Sequence, residues 1–310
     1  MFRLLIVIIT TLLLPACSFS NQQKSPPVPA LQELITDLGL YKLNHDKTIH
    51  EGDLLEHSVW AQYAAAELIE TNSPFAAGWS WTERDKQLLV LAGLLHDVGK
   101  AGRTDLFRGI VGDLTYQTLR NPAEQIIKIT YTHDHEAHVG IGFEYLTHHY
   151  RPLNQHRIYQ LATGIGYRFQ TLFNQLDVPM NEQKIIAILV GIHYDFGRIS
   201  RGDLTMQGFL DNLQEYATFV QYGPVDEYLL RLAVLIQVAD VMSISYVKPR
   251  PTWLFPDAPN YKVVKAMPVK AWEKFGYASG KALTTWHALL QLFKNQKNRP
   301  IALATHPTSL

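Results

Sequence analysis

The sequence contains a histidine and an aspartate side by side at the end of an apolar segment. His96 and Asp97 follow the almost wholly apolar run 88–95, and Gly99 then supplies a backbone that can end a helix. Consecutive side chains on a regular helix point about 100° apart, so the two can face one point only where the helix ends. An imidazole and a carboxylate that converge at the edge of a core are suited to bind a metal ion.

The residues around this pair make it distinctive. A His-Asp dipeptide is short enough to occur by chance, and His45-Asp46 and His133-Asp134 are two further examples in this chain. Only His96-Asp97 has an apolar helical segment before it and the pattern H-D-x-G-K-x-G-x-x-D after it. We therefore take His96 and Asp97 as the first candidate metal ligands.

Three other candidates lie far away in the chain, each on or at the end of a predicted helix. His57 lies early in an Ala-rich helix that begins near Asp53, and His193 ends the apolar segment KIIAILVGIH. Asp240 lies inside the apolar helix 227–243, where a buried carboxylate is costly unless it is paired, hydrogen-bonded or bound to metal. Asp53 could orient His57 or bind a metal, although helix capping is the favoured role.

The segment around residue 135 offers two competing ligands. His135 and His138 are three residues apart and can share one face of a helix, so the spacing alone does not choose between them.

The hydrophobic pattern that must position these residues is helical. It predicts helices over residues 30–40, 53–70, 83–95, 138–150, 158–173, 182–193, 204–220, 227–243 and 269–295. Residues 101–125 contain several glycines and Asn121-Pro122, which predict a loop-rich segment. We find no convincing strand pattern. The fold is therefore predicted to be all-α, a helical bundle with a metal site at helix ends.

The first 17 residues are predicted to be a signal peptide rather than part of the fold. A short positive start precedes an apolar run from Leu4 to Leu14, which is shorter than the roughly 20 residues that span a bilayer. Leu14-Pro15-Ala16-Cys17 resembles the lipobox of bacterial lipoproteins, which implies lipid attachment at Cys17. The alternatives are an ordinary signal peptide and a retained anchor. Residues 18–29 are rich in proline and are interpreted as a tether, so we expect an exported, membrane-anchored protein that faces the periplasm.

The C-terminal part changes in composition after Val247. Prolines alternate with Trp253, Phe255 and Tyr261, and a final helix follows. These aromatic residues are expected to pack this segment, residues 248–310, onto a domain formed by residues 30–247. The alternative is that they form a lid over the site.

The overall charge argues against one class of function. Lys plus Arg equals Asp plus Glu, 28 of each, so the chain lacks the overall positive field expected of a nucleic-acid-binding protein. The single cysteine, Cys17, excludes an intramolecular disulfide.

The ordered set His57, His96-Asp97 and Asp240 resembles the HD superfamily of metal-dependent phosphohydrolases. The similarity covers roughly residues 50 to 245 and is strongest in HDVGKAGRTD. It implies that these four residues bind a divalent metal. In members with two metals, histidines from intervening helices join them, which points to His138 in HVGIGFEYL and to His193, with Asp97 between the metals.

The sequence departs from two relatives of this superfamily. Enzymes that hydrolyse cyclic dinucleotides show a double histidine and a Gly-Tyr-Pro triplet, whereas here Tyr194 follows His193 and no such triplet occurs. The long segment after Asp97 and its HxxH spacing also resemble the HD-like domain of some conjugative relaxases. The predicted export signal argues against a relaxase that acts on cytoplasmic DNA.

The expected chemistry is hydrolysis of a phosphate ester, with a phosphorylated small molecule or nucleotide as substrate. One or two divalent ions, for which iron, manganese and zinc suit a mixed His/Asp site, would activate water for attack on phosphorus. Lys100 is expected to contact the phosphate, with Arg103 and Arg198 as further candidates. The rival hypothesis is a catalytically silent lipoprotein in which the same scaffold binds a partner.

Overall fold

The computed structural model of the protein describes residues 43–44, 54–100, 115–120, 126–132, 137–147, 164–243 and 280–297. Its helices are α1 (Leu54–Glu70), α2 (Glu83–Leu95), α3 (Ala137–Thr147), α4 (Gly164–Gln175), α5 (Met180–Ile192), α6 (Asp195–Arg201), α7 (Met206–Phe219), α8 (Glu227–Ser243) and α9 (Lys281–Lys297). A short 3-10 helix, Val98–Lys100, follows α2. The predicted helical fold is confirmed, while the helix predicted for residues 30–40 lies outside the described residues.

Two helices form the centre of the core. In α5 every residue from Ile185 to Ile192 is buried, and in α8 every residue from Leu229 to Ala239 is buried. A helix that is apolar on all sides must be surrounded by other elements. Accordingly α1 packs against α2 and α8, and α3 packs against α5 and the 3-10 helix.

The sequence fixes both ends of α2. Thr82 accepts a hydrogen bond from the backbone N–H of Asp85, and the Asp85 carboxylate accepts one from the backbone N–H of Thr82, so the two residues form a capping box. At the other end His96 is the C-cap residue. Helix α5 likewise ends at His193, as the sequence pattern predicted.

Three short strands accompany the bundle, and the sequence pattern did not predict them. Strand β1 (Leu43–Asn44) pairs in parallel with β3 (Ile126–Thr132), which pairs antiparallel with β2 (Thr115–Arg120). The loop predicted for residues 101–125 therefore contains a strand. The β-branched residues of IIKITYT favour a strand, whereas the Asn-Pro and the glycines that precede them are loop signals.

The helix boundaries differ from the prediction in several places. Helix α3 is described as far as Thr147, so its predicted continuation to residue 150 lies outside the described residues, and α4 extends to Gln175 rather than to residue 173. The short helix α6 was not predicted because it begins directly after His193 and Tyr194 with no separate start signal. Gly202 caps its C-terminal end with a φ of 87°, which glycine adopts at low cost.

Helix α9 packs against α6, α7 and α8 and buries Trp286, Leu289 and Phe293.

Residues 244–279, including Trp253, Phe255 and Tyr261, lie outside the described residues, so the packing and lid interpretations of these aromatics stay predictions. The predicted boundary between the domain of residues 30–247 and the segment of residues 248–310 also stays a prediction. The signal peptide, Cys17 and the tether also lie outside the described residues. Within the described ranges, no helix is both long enough and apolar enough to cross a membrane.

Candidate metal centre

Six side chains from five helices and their ends converge on one buried place. The C-cap positions of α2 and α5 supply His96 and His193, and Asp97 directly follows α2. The first turns of α1 and α3 supply His57 and His138, and the last turn of α8 supplies Asp240. Their placement at helix ends allows side chains from well-packed helices to meet at the edge of the core.

One oxygen of Asp97 faces a first set of donors. Asp97 Oδ2 lies 3.3 Å from His57 Nε2 and 3.5 Å from His96 Nε2. The two Nε2 atoms are 3.0 Å apart, and Asp240 Oδ1 lies 2.9 Å from that of His57 and 3.4 Å from that of His96. These four residues form the first donor set.

The other oxygen of Asp97 faces a second set. Asp97 Oδ1 lies 3.2 Å from His138 Nε2 and 3.6 Å from His193 Nε2, and these two nitrogens are 3.2 Å apart. The two donor sets therefore share a single carboxylate, which presents one oxygen to each.

The spacing of these atoms fits metal coordination. Donors about 2.0 to 2.2 Å from a common ion lie about 3.0 to 3.5 Å from one another in tetrahedral or octahedral geometry. The distances within both sets run from 2.9 to 3.6 Å. Three overlapping His/Asp groups have donor atoms within 4.8 Å of one another. The buried cluster can hold a divalent metal.

The helix ends also orient two of the imidazoles. Nδ1 of His96 lies 2.7 Å from the Gly93 carbonyl oxygen, and Nδ1 of His193 lies 2.8 Å from that of Val190. A carbonyl can only accept, so in both rings Nδ1 carries the proton. In the neutral ring this leaves the Nε2 lone pair facing the donor set, as a metal ligand requires.

The carboxylates are held in their ionised form. Burial raises the pKa of Asp97, but the nearby charge of Lys100 and the hydrogen bonds with the surrounding histidines outweigh burial and hold it well below its usual value. Burial likewise raises the pKa of Asp240, and its hydrogen bond with His57 brings it well below the usual range. Both side chains therefore carry a negative charge at neutral pH.

The histidines differ in their protonation. Burial lowers the pKa of His96, and burial with the nearby charge of Lys100 lowers that of His138 to about 3, so both rings are neutral at pH 7. Burial also lowers the pKa of His57, but hydrogen bonds with Asp240 and Asp97 outweigh it and raise the pKa. A metal must therefore compete with a proton mainly at His57.

Gly99 allows the second donor set, which contains His138, to lie close to Asp97. A Cβ atom on Gly99 would lie 1.9 Å from the carbonyl oxygen of His138 and 2.6 Å from the backbone nitrogen of Gly142. The 3-10 helix can therefore touch α3 only because residue 99 has no side chain. This contact positions Asp97 beside His138.

Lys100 lies at the site, whereas Arg198 does not. Lys100 Nζ donates to Asp97 Oδ2 at 2.7 Å, and its side chain is only partly buried. Arg198 instead contacts Asp195, with 3.2 Å between Nη1 and Oδ1, and lines a separate cavity. Arg103, His135 and Asp53 lie outside the described residues, so their roles stay predictions.

The sequence reading missed two residues that support the ligands. Ser243 Oγ lies 2.8 Å from His57 Nδ1, and Gln237 Nε2 donates to Asp240 Oδ2 at 3.2 Å. Both are fully buried polar residues of the apolar helix α8, three residues on either side of Asp240. Residues three apart lie on the same side of a helix, so this spacing in the sequence could have identified both residues as neighbours of Asp240.

Comparison with known families identifies the fold. The model of the HD domain family matches residues 54–243. The chain belongs to the HD domain family. Comparisons with curated proteins and with solved structures found no significant match. The HD match begins at the first residue of α1 and ends at Ser243, so it contains all six converging residues. Members of this superfamily are generally metal-dependent hydrolases of phosphate compounds.

Proposed function

We propose that this HD protein hydrolyses a phosphate ester with the help of one or two divalent ions bound by His57, His96, Asp97, His138, His193 and Asp240. The observation that carries the proposal is that the two carboxylate oxygens of Asp97 face different donor sets, Oδ2 the first set and Oδ1 the second. A single buried carboxylate with this arrangement suits two adjacent ions. Iron, manganese and zinc all accept such a mixed set of ligands.

The bound metal would supply water with its pKa lowered from 15.7 toward about 7 and positive charge for the phosphate oxygens. The protein residues do the rest. The carbonyls of Gly93 and Val190 hold His96 and His193 with Nε2 directed inward. The packed helices around them exclude bulk water from five of the six ligands, because only Asp240 is appreciably exposed, at 17%. The substrate would enter on the side of Asp240.

Lys100 is suited to bind the phosphate. Its ammonium group pairs with Asp97 Oδ2 at 2.7 Å, on the oxygen that faces the first donor set, and it keeps some exposure. When a cation neutralises Asp97, the ammonium group can turn toward an incoming phosphate. A charge-assisted contact of this kind contributes about 1.5 to 3 kcal/mol.

A nearby cavity could hold the organic part of the substrate. Its volume is about 390 Å³, and it lies between α3, α5, α6 and α7. Val139 and Gly140 line it directly after His138, and Tyr194 lines it directly after His193. The Tyr194 ring is 6.3 Å from that of His138. Aromatic walls from Phe143, Tyr194, Tyr216 and Phe219 suit a flat group such as a nucleobase, so a nucleotide is favoured among the phosphate esters.

We further propose that the enzyme is exported and attached to the bacterial envelope through a lipid on Cys17. This part rests on the apolar run 4–14, the lipobox-like LPAC and the proline-rich tether. Labelling of the full chain with a radioactive fatty acid in a bacterial host tests it. Label that is lost in Cys17→Ala would support it, whereas an unlabelled, unprocessed chain would contradict it.

The central test combines metal analysis with activity. The purified full-length chain is expected to contain divalent metal and to hydrolyse members of a panel of phosphomonoesters, phosphodiesters and nucleotides. Asp97→Asn should remove most of the metal and lower kcat/KM by about 10² or more, because it removes one charge from both sets. Ser200→Ala, a buried serine outside the site, is the control. Retained metal and full turnover in Asp97→Asn would contradict the proposal.

The same test separates the two rivals. Metal-free protein without turnover on the whole panel would favour a catalytically silent scaffold that binds a partner. A relaxase-like protein would act on DNA in the cytoplasm, so fusion to a reporter active only after export distinguishes it. Reporter activity favours the envelope hydrolase.

A further inference from the structure

The Nδ1 atom of His57 is held by a different kind of partner from the Nδ1 atoms of His96 and His193. His96 and His193 follow the last turns of their helices and use carbonyls of those turns, which have no partner within the helix. His57 lies in the first turn of α1, where no such carbonyl is available. Its Nδ1 atom instead meets the hydroxyl of Ser243, at the end of α8 and 2.8 Å away.

The direction of this hydrogen bond follows from a second contact. Ser243 Oγ lies 2.5 Å from the backbone carbonyl oxygen of Asp240, and a carbonyl can only accept. The single hydroxyl proton is therefore donated to Asp240, and the Ser243 oxygen must accept from His57 Nδ1–H. In the neutral ring this leaves the Nε2 lone pair directed at Asp97 and at the Asp240 carboxylate.

Resting on the proposed function, we infer that Ser243 is a positioning residue that keeps His57 in the tautomer able to bind metal. The Ser243 hydroxyl links His57 to the backbone of Asp240, whose carboxylate faces the other nitrogen of the same ring. One neutral group thus ties the His57 ring of α1 to the backbone of α8 beside Asp240. Ser243 is fully buried, so water cannot replace the hydroxyl without rearrangement.

Removal of the hydroxyl leaves two possible forms of the ring. In Ser243→Ala the buried Nδ1–H loses the hydroxyl that accepts its hydrogen bond, which costs about 1 to 3 kcal/mol. The metal-free ring avoids this cost by moving the proton to Nε2, where the Asp240 carboxylate lies 2.9 Å away. That tautomer has no lone pair for the metal. The substitution should therefore weaken metal binding while the metal-free protein remains stable.

The test is titration of the metal-free, full-length chain with Mn²⁺. Ser243→Ala should weaken the binding that involves His57 by about 10- to 100-fold, in line with other residues that orient ligands. The melting temperature of the metal-free variant should stay close to that of the wild type, and the Co²⁺ absorption spectrum should change in shape. Ser243→Thr, which restores a hydroxyl, should recover Mn²⁺ affinity, and Ser200→Ala should leave it unchanged.

The outcomes separate this inference from the proposed function. If the wild type binds Mn²⁺ and Ser243→Ala binds it equally tightly with the same Co²⁺ spectrum, the inference is wrong and the metal centre stands. If Ser200→Ala weakens binding as much as Ser243→Ala, the inference is also wrong, because the effect is not specific to His57. If the wild type binds neither ion, both the proposed function and the inference are wrong.

Discussion

Asp97 is the one ligand that the two donor sets share. Its two oxygens face different donor sets, and its side chain has no measurable exposure. Burial alone would favour the neutral acid, but in the metal-free protein the nearby charge of Lys100 holds the pKa of Asp97 well below its usual value, and a bound cation would act in the same direction. The charge of Asp97 is thus a property of the whole cluster rather than of one residue.

Lys100 provides the first prediction. Lys100→Met should lower kcat/KM for a phosphomonoester by about 10- to 100-fold, because a contact of about 1.5 to 3 kcal/mol with the phosphate is lost. Mn²⁺ affinity should stay the same or increase, since the ammonium group no longer competes for Asp97 Oδ2, 2.7 Å away. Steady-state kinetics and Mn²⁺ titration measure the two effects. Lys100→Arg retains the charge, and a loss of metal in Lys100→Met would contradict the assignment.

His138 provides a prediction about pH. Its pKa falls to about 3 in the folded protein from 6.5 in the unfolded chain, through burial and the charge of Lys100. The unfolded chain therefore binds a proton that the folded one does not, and stability is lost as pH falls from about 6.5 toward 3. At 1.36 kcal/mol per pH unit, this is about 2 kcal/mol by pH 5.

Urea unfolding of metal-free protein at pH 7 and pH 5 tests this expectation. In His138→Gln the loss of unfolding free energy between the two pH values should be smaller than in the wild type by about 2 kcal/mol. Equal losses in the two proteins would mean that His138 is not held neutral by its surroundings.

At the scale of elements, the metal centre requires its helices to approach one another closely, and two glycines permit this. Gly99 allows the 3-10 helix to touch α3, and Gly93 allows α2 to approach α1, since a Cβ there would lie 3.2 Å from the backbone of Ala61. The ends of α2, α3 and α1 can therefore lie near one another. These contacts help to bring the ligands of α1, α2 and α3 within a few ångströms of one another.

Gly99→Ala is expected to separate the two donor sets. The added Cβ would lie 1.9 Å from the carbonyl oxygen of His138, so α3 or the 3-10 helix must move. Metal analysis should show loss of the ion held by His138 and His193, with one held by His57, His96 and Asp240 retained. Gly140→Ala in α3 is the control, because a Cβ atom there would meet nothing within 4 Å. Unchanged metal content in Gly99→Ala would contradict this role.

The sequence predicted helices well where apolar residues were continuous. Helices α5 and α8 are buried on all sides, and their apolar residues and terminal ligands were visible in the pattern. The strands in residues 115–132 were missed because pairing between segments decides them, and local glycine and proline signals pointed the other way. Ser243 was missed because its importance arises from its contact with His57 in a distant segment, which a linear sequence does not show.

At the scale of the whole molecule, the metal centre and the cavity lie on the same helices. Helices α3 and α5 present His138 and His193 to the donor sets, while their neighbouring residues line the cavity. The cavity lining includes Arg198 and Asn212, both of which contact the Asp195 carboxylate. Polar edges beside aromatic walls can distinguish one flat group from another.

Gly140 allows the cavity to be filled without disturbing the core. It lines the cavity, and a Cβ there would meet nothing within 4 Å. Gly140→Leu should raise KM for a nucleoside monophosphate by about 10-fold or more, because the leucine side chain occupies space that the base would need. KM for a small phosphomonoester without a flat group should stay unchanged. Gly140→Ala, which stabilises the helix by up to about 1 kcal/mol, controls for the backbone change. Equal effects on both substrates, or none on either, would show that the base binds elsewhere and that only the metal centre contacts the substrate.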